Sequence, residues 1–453
     1  MVPPITTILQ RFTGEWAALL QPEAILTVCS EIGYTGWRDR VLTPVTTMQL
    51  FLLQILHGNT ACSHLPHLSG LRFSAAAYCQ ARARLPLRFF ALLLERFSSA
   101  VQRTALKEER WQGHRTFLVD GSGGSMPDTP ALQDAFGQPS GQRPGCGFPM
   151  ARLLGLFHAD TGLLLQLIVA PLFTHDLAHV QKVHPMLAPG DVLVADRGLC
   201  SSAHLALLVQ AGVHTVLGVS ARQIVDFTPG RSFVKPSVRR TPAVKGIPRS
   251  RWLKALGIHD QLVAWLQPTT CPSWLTREAL AALPEALELR EVRYDLDRPG
   301  FRTRQITLVT TLLDAELYRV ADLAELYHQR WRVETSLAQL KTSMQMDVLH
   351  CKTVPGVLKE LTVLAIVYNL VRLVMCQSAT LQHISVERIS FVDALRWLGA
   401  PSTGIPLDAL IANPSRPHRV EPRVKKRRPK PFPFMIKPRQ ELRQQLLHQA
   451  RGG

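Results

Sequence analysis

Apolar residues recur at steps of three and four through the first part of the chain, which is the spacing of one helical face. The pattern predicts helices over 47–56 and 87–101, and Ser74 has the residue type of an N-cap for a short helix between them. That short helix carries three polar residues suited to DNA contacts: Gln80, Arg82 and Arg84. We therefore expect residues 1–110 to form a helical N-terminal domain that binds DNA. A small bundle that only packs on the rest of the protein is the alternative.

From residue 115 the apolar runs shorten and turn residues separate them, which favours strands. Five runs have the length of buried strands: 115–120, 151–158, 163–173, 191–196 and 213–220. Asp160, Thr161 and Gly162 form a hairpin signal between the second run and the third. Helical segments are predicted from Thr174 to about 187 and over 202–210. Strands that alternate with helices in this way predict a mixed α/β sheet with a parallel portion over 111–220.

The pattern of apolar and turn residues changes again after residue 220. Alternating runs broken by Pro, Gly and Asp predict a β-rich insertion over 221–313. Helical patterns then predict a helical segment over 314–411, including a clear helix near 357–376. The remainder, 412–453, is a basic, Pro-rich tail that we do not expect to hold one conformation by itself.

The composition indicates a negatively charged partner. The 453 residues include 52 Lys and Arg against 34 Asp and Glu, which gives a net charge of +18, and the pI is near 10.0. Such an excess points to a polyanion, and nucleic acid fits better than a membrane because the most apolar long segment contains Lys359, Glu360 and Arg372. Eight cysteines without a CxxC pair indicate free thiols rather than a disulfide or zinc framework. The start lacks the pattern of a secretory signal, so we expect a cytoplasmic protein.

Two aspartates end predicted strands. Asp120 closes the run 115–120 and Asp196 closes the run 191–196. Ligands bind at the carboxyl ends of strands in open α/β sheets, so the two carboxylates converge if the strands are neighbours. With Glu334 as a third carboxylate, the oxygen ligands would suit two Mg²⁺ or Mn²⁺ ions, which activate a water or a 3′-hydroxyl for attack at phosphorus. Taken singly, each aspartate is more simply explained as a turn-capping residue.

The segment YHQRWRVETSLAQLK places four polar residues on one helical stripe, at steps of three, four and seven: Tyr327, Arg330, Glu334 and Lys341. A carboxylate between cations suits a site that holds metal and phosphate together. The alternative is a solvated helix face with an i,i+4 pair between Arg330 and Glu334. Glu325 lies on the opposite side of the helix and is not expected to share the site.

These motifs together resemble the DDE transposases of bacterial insertion sequences, in the group with a Tyr-Arg-Glu-Lys signature. The resemblance covers about residues 115–350 and implies a ribonuclease H-like mixed sheet flanked by helices, with the β-rich insertion preceding the glutamate-bearing helix. It also implies that Asp120, Asp196 and Glu334 bind the metal ions and act in catalysis, while Tyr327, Arg330 and Lys341 contact DNA phosphates.

The activity implied by the resemblance is DNA transposition. Such enzymes bind the inverted-repeat ends of an insertion sequence, cleave by hydrolysis and join the 3′-OH ends to target DNA, as a homodimer or a larger synaptic complex. Some relatives excise through a DNA hairpin with an insertion-domain tryptophan, but the last insertion strand here has no aromatic residue. A DNA-binding repressor without catalysis and a nuclease without strand transfer remain alternatives. The HxxxH spacing of His175 and His179 is compatible with zinc, but a surface position is favoured.

Overall fold

The computed structural model describes residues 18–37, 40–105, 111–220, 223–237, 244–296, 305–400, 406–414 and 435–451. Its strands are β1 (Thr116–Ser125), β2 (Met150–His158), β3 (Leu164–Pro171), β4 (Val192–Ala195), β5 (His214–Gly218), β6 (Ser250–Gly257), β7 (Asp260–Leu266), β8 (Ala286–Asp295) and β9 (Gln305–Thr310). Its helices up to β5 are α1 (Pro22–Glu31), α2 (Pro44–Leu56), α3 (Leu65–Ser69), α4 (Ala75–Arg84), α5 (Leu87–Ala105), α6 (Pro130–Phe136) and α7 (Ser202–Gln210). The later helices are α8 (Arg277–Ala281), α9 (Val320–Gln329), α10 (Trp331–Ala338), α11 (Val354–Gln382), α12 (Phe391–Gly399) and α13 (Arg439–Arg451).

The strands form one mixed sheet in the order β3-β2-β1-β4-β5-β9-β8-β7-β6. The neighbours β1, β4 and β5 run parallel, and every other pair is antiparallel. β2 and β3 form the hairpin expected at Asp160. The prediction of a mixed α/β sheet with a parallel portion is therefore confirmed.

The strands expected in the insertion continue the same sheet. β9 pairs with β5 on one side and with β8 on the other, so β6, β7 and β8 extend the sheet beyond the parallel strands. Arg290 on β8 forms a buried bidentate ion pair with Asp260 on β7, and its guanidinium also donates to the carbonyl of Tyr318. The boundary that we drew at residue 221 stays a prediction.

Among the helices before β1, α2 and α5 pack on the long helix α11, and α1, α2 and α5 share one hydrophobic core with the sheet. Polar contacts also cross this junction. The Lys359 ammonium of α11 donates to the carbonyls of Arg82 and Ala83 at the end of α4, and Asn59 donates to the buried Glu360 carboxylate. α4 is therefore fixed to the body of the protein on one side. Arg82 lies on that inner side and bonds Gln54, so it does not face solvent as a DNA-reading residue would.

Several expected elements differ from those observed. β1 does not end at Asp120 but continues through Ser125, because β2 pairs with it along its whole length. Two 3₁₀ helices, Asp176–Ala178 and Val180–Met186, replace the helix expected after Thr174, and Pro185 lies inside the second. α11 is longer than the segment 357–376.

The tail expected to lack a fixed conformation contains α13, while residues 415–434 lie outside the described residues. Every helix in the described part of the chain is too short or too polar to cross a lipid bilayer.

Candidate active site

The parallel register of β1 and β4 brings the two aspartates together. The last paired positions are Val119 and Ala195, so Asp120 and Asp196 both follow directly where the two strands separate. Asp120 Oδ1 accepts from the N–H of Gly121 at 2.7 Å. Asp196 caps a short 3₁₀ turn, and its Oδ1 accepts from the N–H of Gly198 at 2.9 Å. Each carboxylate is thus oriented by its own following turn or strand.

Arg330 links Asp120 to the helix that carries Glu334. Its guanidinium lies 3.7 Å from Asp120 Oδ2 and 3.3 Å from Glu334 Oε1. The Arg330 side chain is 11% exposed and that of Glu334 is 45% exposed, so this i,i+4 pair is buried at its guanidinium and open to solvent at its carboxylate. α10 packs against β1, which brings Glu334 to the end of the sheet where the aspartates lie. Three of the residues expected in the site therefore meet in one contact network.

Asp120 lies in an environment that disfavours its negative charge. Burial, and the nearby negative charges of Asp196 and Glu334, raise the pKa of Asp120 to about 6, against the opposing effects of the Gly121 N–H and Arg330. The raised pKa means that burial and the neighbouring carboxylates disfavour the negative charge of Asp120 more than Arg330 and the Gly121 N–H favour it. A perturbed carboxyl at the end of a sheet is typical of a functional site.

Tyr327 is buried beneath the same site. Its hydroxyl packs against Gly218 at the end of β5 so closely that a Cβ at Gly218 would collide with it. Burial raises the pKa of Tyr327, and the negative charge of Asp196 adds to this effect. The Arg330 guanidinium lies 5.8 Å from the centroid of the tyrosine ring and 5.1 Å from that of Trp331. The tyrosine therefore packs between Arg330 and the end of β5.

Lys341 departs from the stripe predicted for an unbroken helix. A π-helical turn, Gln339–Ser343, follows α10 and contains Lys341. Because rotation per residue is smaller in a π-helix, the rule of 100° per residue does not hold there. Lys341 is half-buried on this turn.

A second ion pair near Asp120 was missed by the sequence analysis. Arg152 on β2 bonds both oxygens of Asp176, and this carboxylate fills the space beside Gly121 that a side chain would occupy. Asp176 lies between the two histidines of the HxxxH spacing. Nothing in the local sequence pairs it with a residue on β2, because the contact depends on how the chain returns after β3.

Two histidines support the turn that carries Asp196. The buried His204 bonds the carbonyl of Leu199 through Nδ1 at 2.8 Å, and its Nε2 lies 3.1 Å from Nε2 of His184. Burial lowers the pKa of both histidines to about 4, so both are neutral near neutral pH. If Nδ1–H of His204 donates to the Leu199 carbonyl, then Nε2 of His204 accepts a hydrogen bond from Nε2–H of His184. Both nitrogens of the His204 ring then have partners. His184 is thus a structural partner rather than a zinc ligand in this arrangement.

The donor chemistry of the site fits a hard divalent cation. Asp120, Asp196 and Glu334 supply carboxylate oxygens, and their mutual repulsion would be relieved by such an ion. As the residues are arranged, Arg330 lies between Asp120 and Glu334. No group of three or more His, Cys, Asp or Glu side chains in the described segments is gathered closely enough to hold a metal ion. The residue types therefore fit a divalent cation. In this conformation, however, the Arg330 guanidinium occupies part of the space between Asp120 and Glu334.

The chain is similar to known transposases. The model of the family described as "Transposase DDE domain" matches residues 111–370. The transposase InsG for insertion sequence element IS4, from Escherichia coli strain K12, is 22% identical over 388 residues, which is 81% of this chain and 80% of that protein. The cryo-EM structure of the piggyBac transposase synaptic complex with hairpin DNA has a TM-score of 0.44 and 12% identity, over 88% of this chain and 80% of that one.

Proposed function

The chain belongs to the family of the transposase DDE domain, and from this premise we propose that it is the transposase of a bacterial insertion sequence. It binds the inverted-repeat ends of the element, cleaves them by metal-dependent hydrolysis and joins the 3′-OH ends to target DNA. The proposal is supported by two observations within residues 111–370: Asp120 and Asp196 follow neighbouring parallel strands, and Arg330 contacts both Asp120 and Glu334.

In this proposal Asp120, Asp196 and Glu334 hold two Mg²⁺ or Mn²⁺ ions. Such ions activate a water or a 3′-hydroxyl and stabilise the leaving oxygen at phosphorus. Asp120 is kept in place by the Gly121 N–H, and Asp196 by the Gly198 N–H. These fixed carboxylates need little reorganisation before reaction, which favours catalysis.

The cations of the signature hold the DNA phosphates. Arg330 can exchange its contacts with Asp120 and Glu334 for a phosphate, because a guanidinium binds either anion through the same N–H fork. Tyr327 positions Arg330, and its hydroxyl donates to a DNA phosphate. Lys341, on the π-helical turn after α10, adds a further positive charge for the phosphates. These roles agree with a Tyr-Arg-Glu-Lys signature.

The wider organisation follows from the same proposal. The strands β1–β5 with α7 and α9–α11 form a ribonuclease H-like core, residues 1–110 form a DNA-binding domain, and 221–313, which include β6–β9, form the insertion. The charge of +18 supports binding to DNA. Pairing of two ends requires a homodimer or a higher complex on DNA, in the cytoplasm at the nucleoid.

The test is cleavage of supercoiled plasmid that carries the DNA flanking this protein's own gene. We expect nicks and excised product with Mg²⁺ and none with EDTA. Asp120→Ala, Asp196→Ala and Glu334→Ala should abolish cleavage and retain DNA binding. Glu325→Ala is the matched control, because Glu325 is exposed on α9 and belongs to none of the contacts described above. Cleavage by all three alanine variants would refute the proposal.

The same assay separates the two alternatives. A DNA-binding repressor would bind the flanking DNA and leave the plasmid intact at every metal concentration. A nuclease would nick the plasmid but yield no strand-transfer products with a labelled 3′-OH end. Both outcomes differ from that of a transposase, which nicks and joins.

A further inference from the structure

A cleft lies between α4 and the described residues 34–37 and 40–44, which lie between α1 and the start of α2. It has a volume of about 680 Å³, and its lining residues fall between Tyr34 and Leu85. None of them belongs to the carboxylate site, which begins at Asp120. A volume of this size is within the range of small-ligand sites. The cleft is therefore a separate candidate site.

Positive charge dominates its lining. Arg40, Arg72 and Arg84 are exposed and line the cleft, and no acidic residue is among the lining residues that the structure describes. Within the described segments, none of these three arginines forms an ion pair with a carboxylate. Pro44 in the first turn of α2 also lines it, so the positive end of that helix adds to the potential. The lining fits an anion with several charges.

Aromatic rings form another part of the lining. Tyr34 and Trp37 are half-buried and stack on each other, with centroids 5.9 Å apart and an angle of 26° between the ring planes. Phe73 contributes a third ring to the same cleft. Bases of single-stranded nucleic acid stack on such rings while arginines hold the backbone. A phosphate ion alone would leave this aromatic surface unused.

The wall formed by α4 is rigid. Ala77, Gln80 and Arg84 face the cleft at helical spacing, while Tyr78 on the other side is fully buried. The Lys359 ammonium holds the C-terminal carbonyls of α4, as described for the fold. Because α4 cannot rotate easily, Gln80 and Arg84 keep their orientation toward a ligand. A site formed before binding loses less entropy when its ligand arrives.

We propose that this cleft binds an unpaired nucleotide of DNA, with its base on the Tyr34–Trp37 pair and its flanking phosphates on Arg40, Arg72 and Arg84. Gln80 is placed to bond the edge of the base. The proposal rests on the proposed function only in taking DNA as the polyanion. It adds that the protein distinguishes DNA with an unpaired base from fully paired DNA, at a site distant in sequence from the carboxylates.

The test is binding of the full-length protein to labelled DNA by fluorescence anisotropy, in EDTA so that no cleavage occurs. Three probes of equal length are compared: a fully paired duplex, the same duplex with one extrahelical thymine, and a single strand. Trp37→Ala should weaken binding to the two probes with unpaired bases by about 5- to 150-fold and leave the paired duplex unchanged. Trp37→Phe should retain most of the affinity.

The arginines are tested through salt dependence. Arg72→Ala and Arg84→Ala should each lower the slope of log affinity against log salt for the single strand by about 0.7. Arg88→Ala is the matched control, since Arg88 is exposed on α5 but does not line the cleft. Equal losses for paired and unpaired probes, or an equal effect of Arg88→Ala, would overturn the proposal.

A measurement on the unaltered protein guards against unfolding of the variants. A 5-iodouracil at the extrahelical position should cross-link to Tyr34 or Trp37, as mapped by mass spectrometry, and a cross-link only to residues outside the cleft would overturn the proposal. The two proposals also fail separately. A protein that shows the Trp37-dependent preference but never cleaves DNA refutes the transposase activity alone. One that cleaves while Trp37→Ala binds every probe normally refutes the cleft alone.

Discussion

Replacing Asp120 by Asn should stabilise the metal-free protein. Burial and the neighbouring carboxylates raise the pKa of Asp120 from its ordinary value of 3.8 to about 6. The folded state therefore binds this proton more tightly than the unfolded state does, and its stability falls as pH rises from about 4 to above 6. Above that range the ionised carboxylate costs about 3 kcal/mol, since one pKa unit corresponds to about 1.4 kcal/mol. Asn has nearly the same shape and removes this cost.

The magnitude has a defined dependence on pH. At about pH 7.5 the full difference of about 3 kcal/mol applies, whereas at about pH 4.5 the folded protein is protonated and only about 1 kcal/mol remains. The contacts with Arg330 and the Gly121 N–H already contribute to the pKa of Asp120, so they need no separate correction. The Asp120→Asn variant should thus gain most stability at the pH where the carboxylate that we propose for catalysis is ionised, which would be a conflict between stability and function.

The assay is urea unfolding in EDTA, followed by tryptophan fluorescence at both pH values. Asp134→Asn is the control, because Asp134 is exposed on α6. It should leave stability unchanged at either pH. Mg²⁺ should then stabilise the unaltered protein more than Asp120→Asn, because a ligand stabilises only the state that binds it. A variant that is no more stable at pH 7.5, or whose gain is independent of pH, would refute the account of the site.

Three further predictions concern contacts around the site and the sheet. Gly218→Ala should lower plasmid cleavage with little change in circular dichroism, because the added methyl displaces the Tyr327 hydroxyl; full activity would contradict this packing. Arg290→Met should reduce the free energy of unfolding by about 3 to 5 kcal/mol, measured in urea, because Asp260 is left buried without its partner; an unchanged midpoint would speak against the ion pair. Lys359→Met should speed amide hydrogen exchange in α4, whose last carbonyls lose their donor, and unchanged exchange there would exclude that role.

Much of the fold could be predicted from local pattern alone. Apolar periodicity located strands β2 to β5 within a few residues, and it located α2, α5 and α7. Cap chemistry placed the start of α4, where Ser74 accepts from the N–H of Ala77. The pattern failed where neighbours overrode it, as in β1, whose glycines pair with β2 and extend the strand past Asp120. Local pattern also missed the 3₁₀ helices after Thr174.

The candidate site could likewise be predicted only in part from local pattern. Helical spacing correctly predicted that Arg330 and Glu334 lie close enough to form an ion pair, although Arg330 lies between α9 and α10 rather than inside one unbroken helix. It could not show that the same guanidinium reaches Asp120, or that Tyr327 packs on Gly218. The catalytic and phosphate-binding roles of these residues stay predictions until cleavage is measured.

The sequence by itself therefore determined which residues could form strands, helices and a cluster of carboxylates, because those properties depend on periods of two and 3.6 residues within short segments. The tertiary structure alone decided that Val119 pairs with Ala195, that β9 joins the insertion to the sheet, and that Arg82 faces inward while Arg84 faces the cleft. The register of the strands and the direction in which a side chain points depend on contacts between segments far apart in the chain. The free energy of those contacts cannot be read from a local pattern.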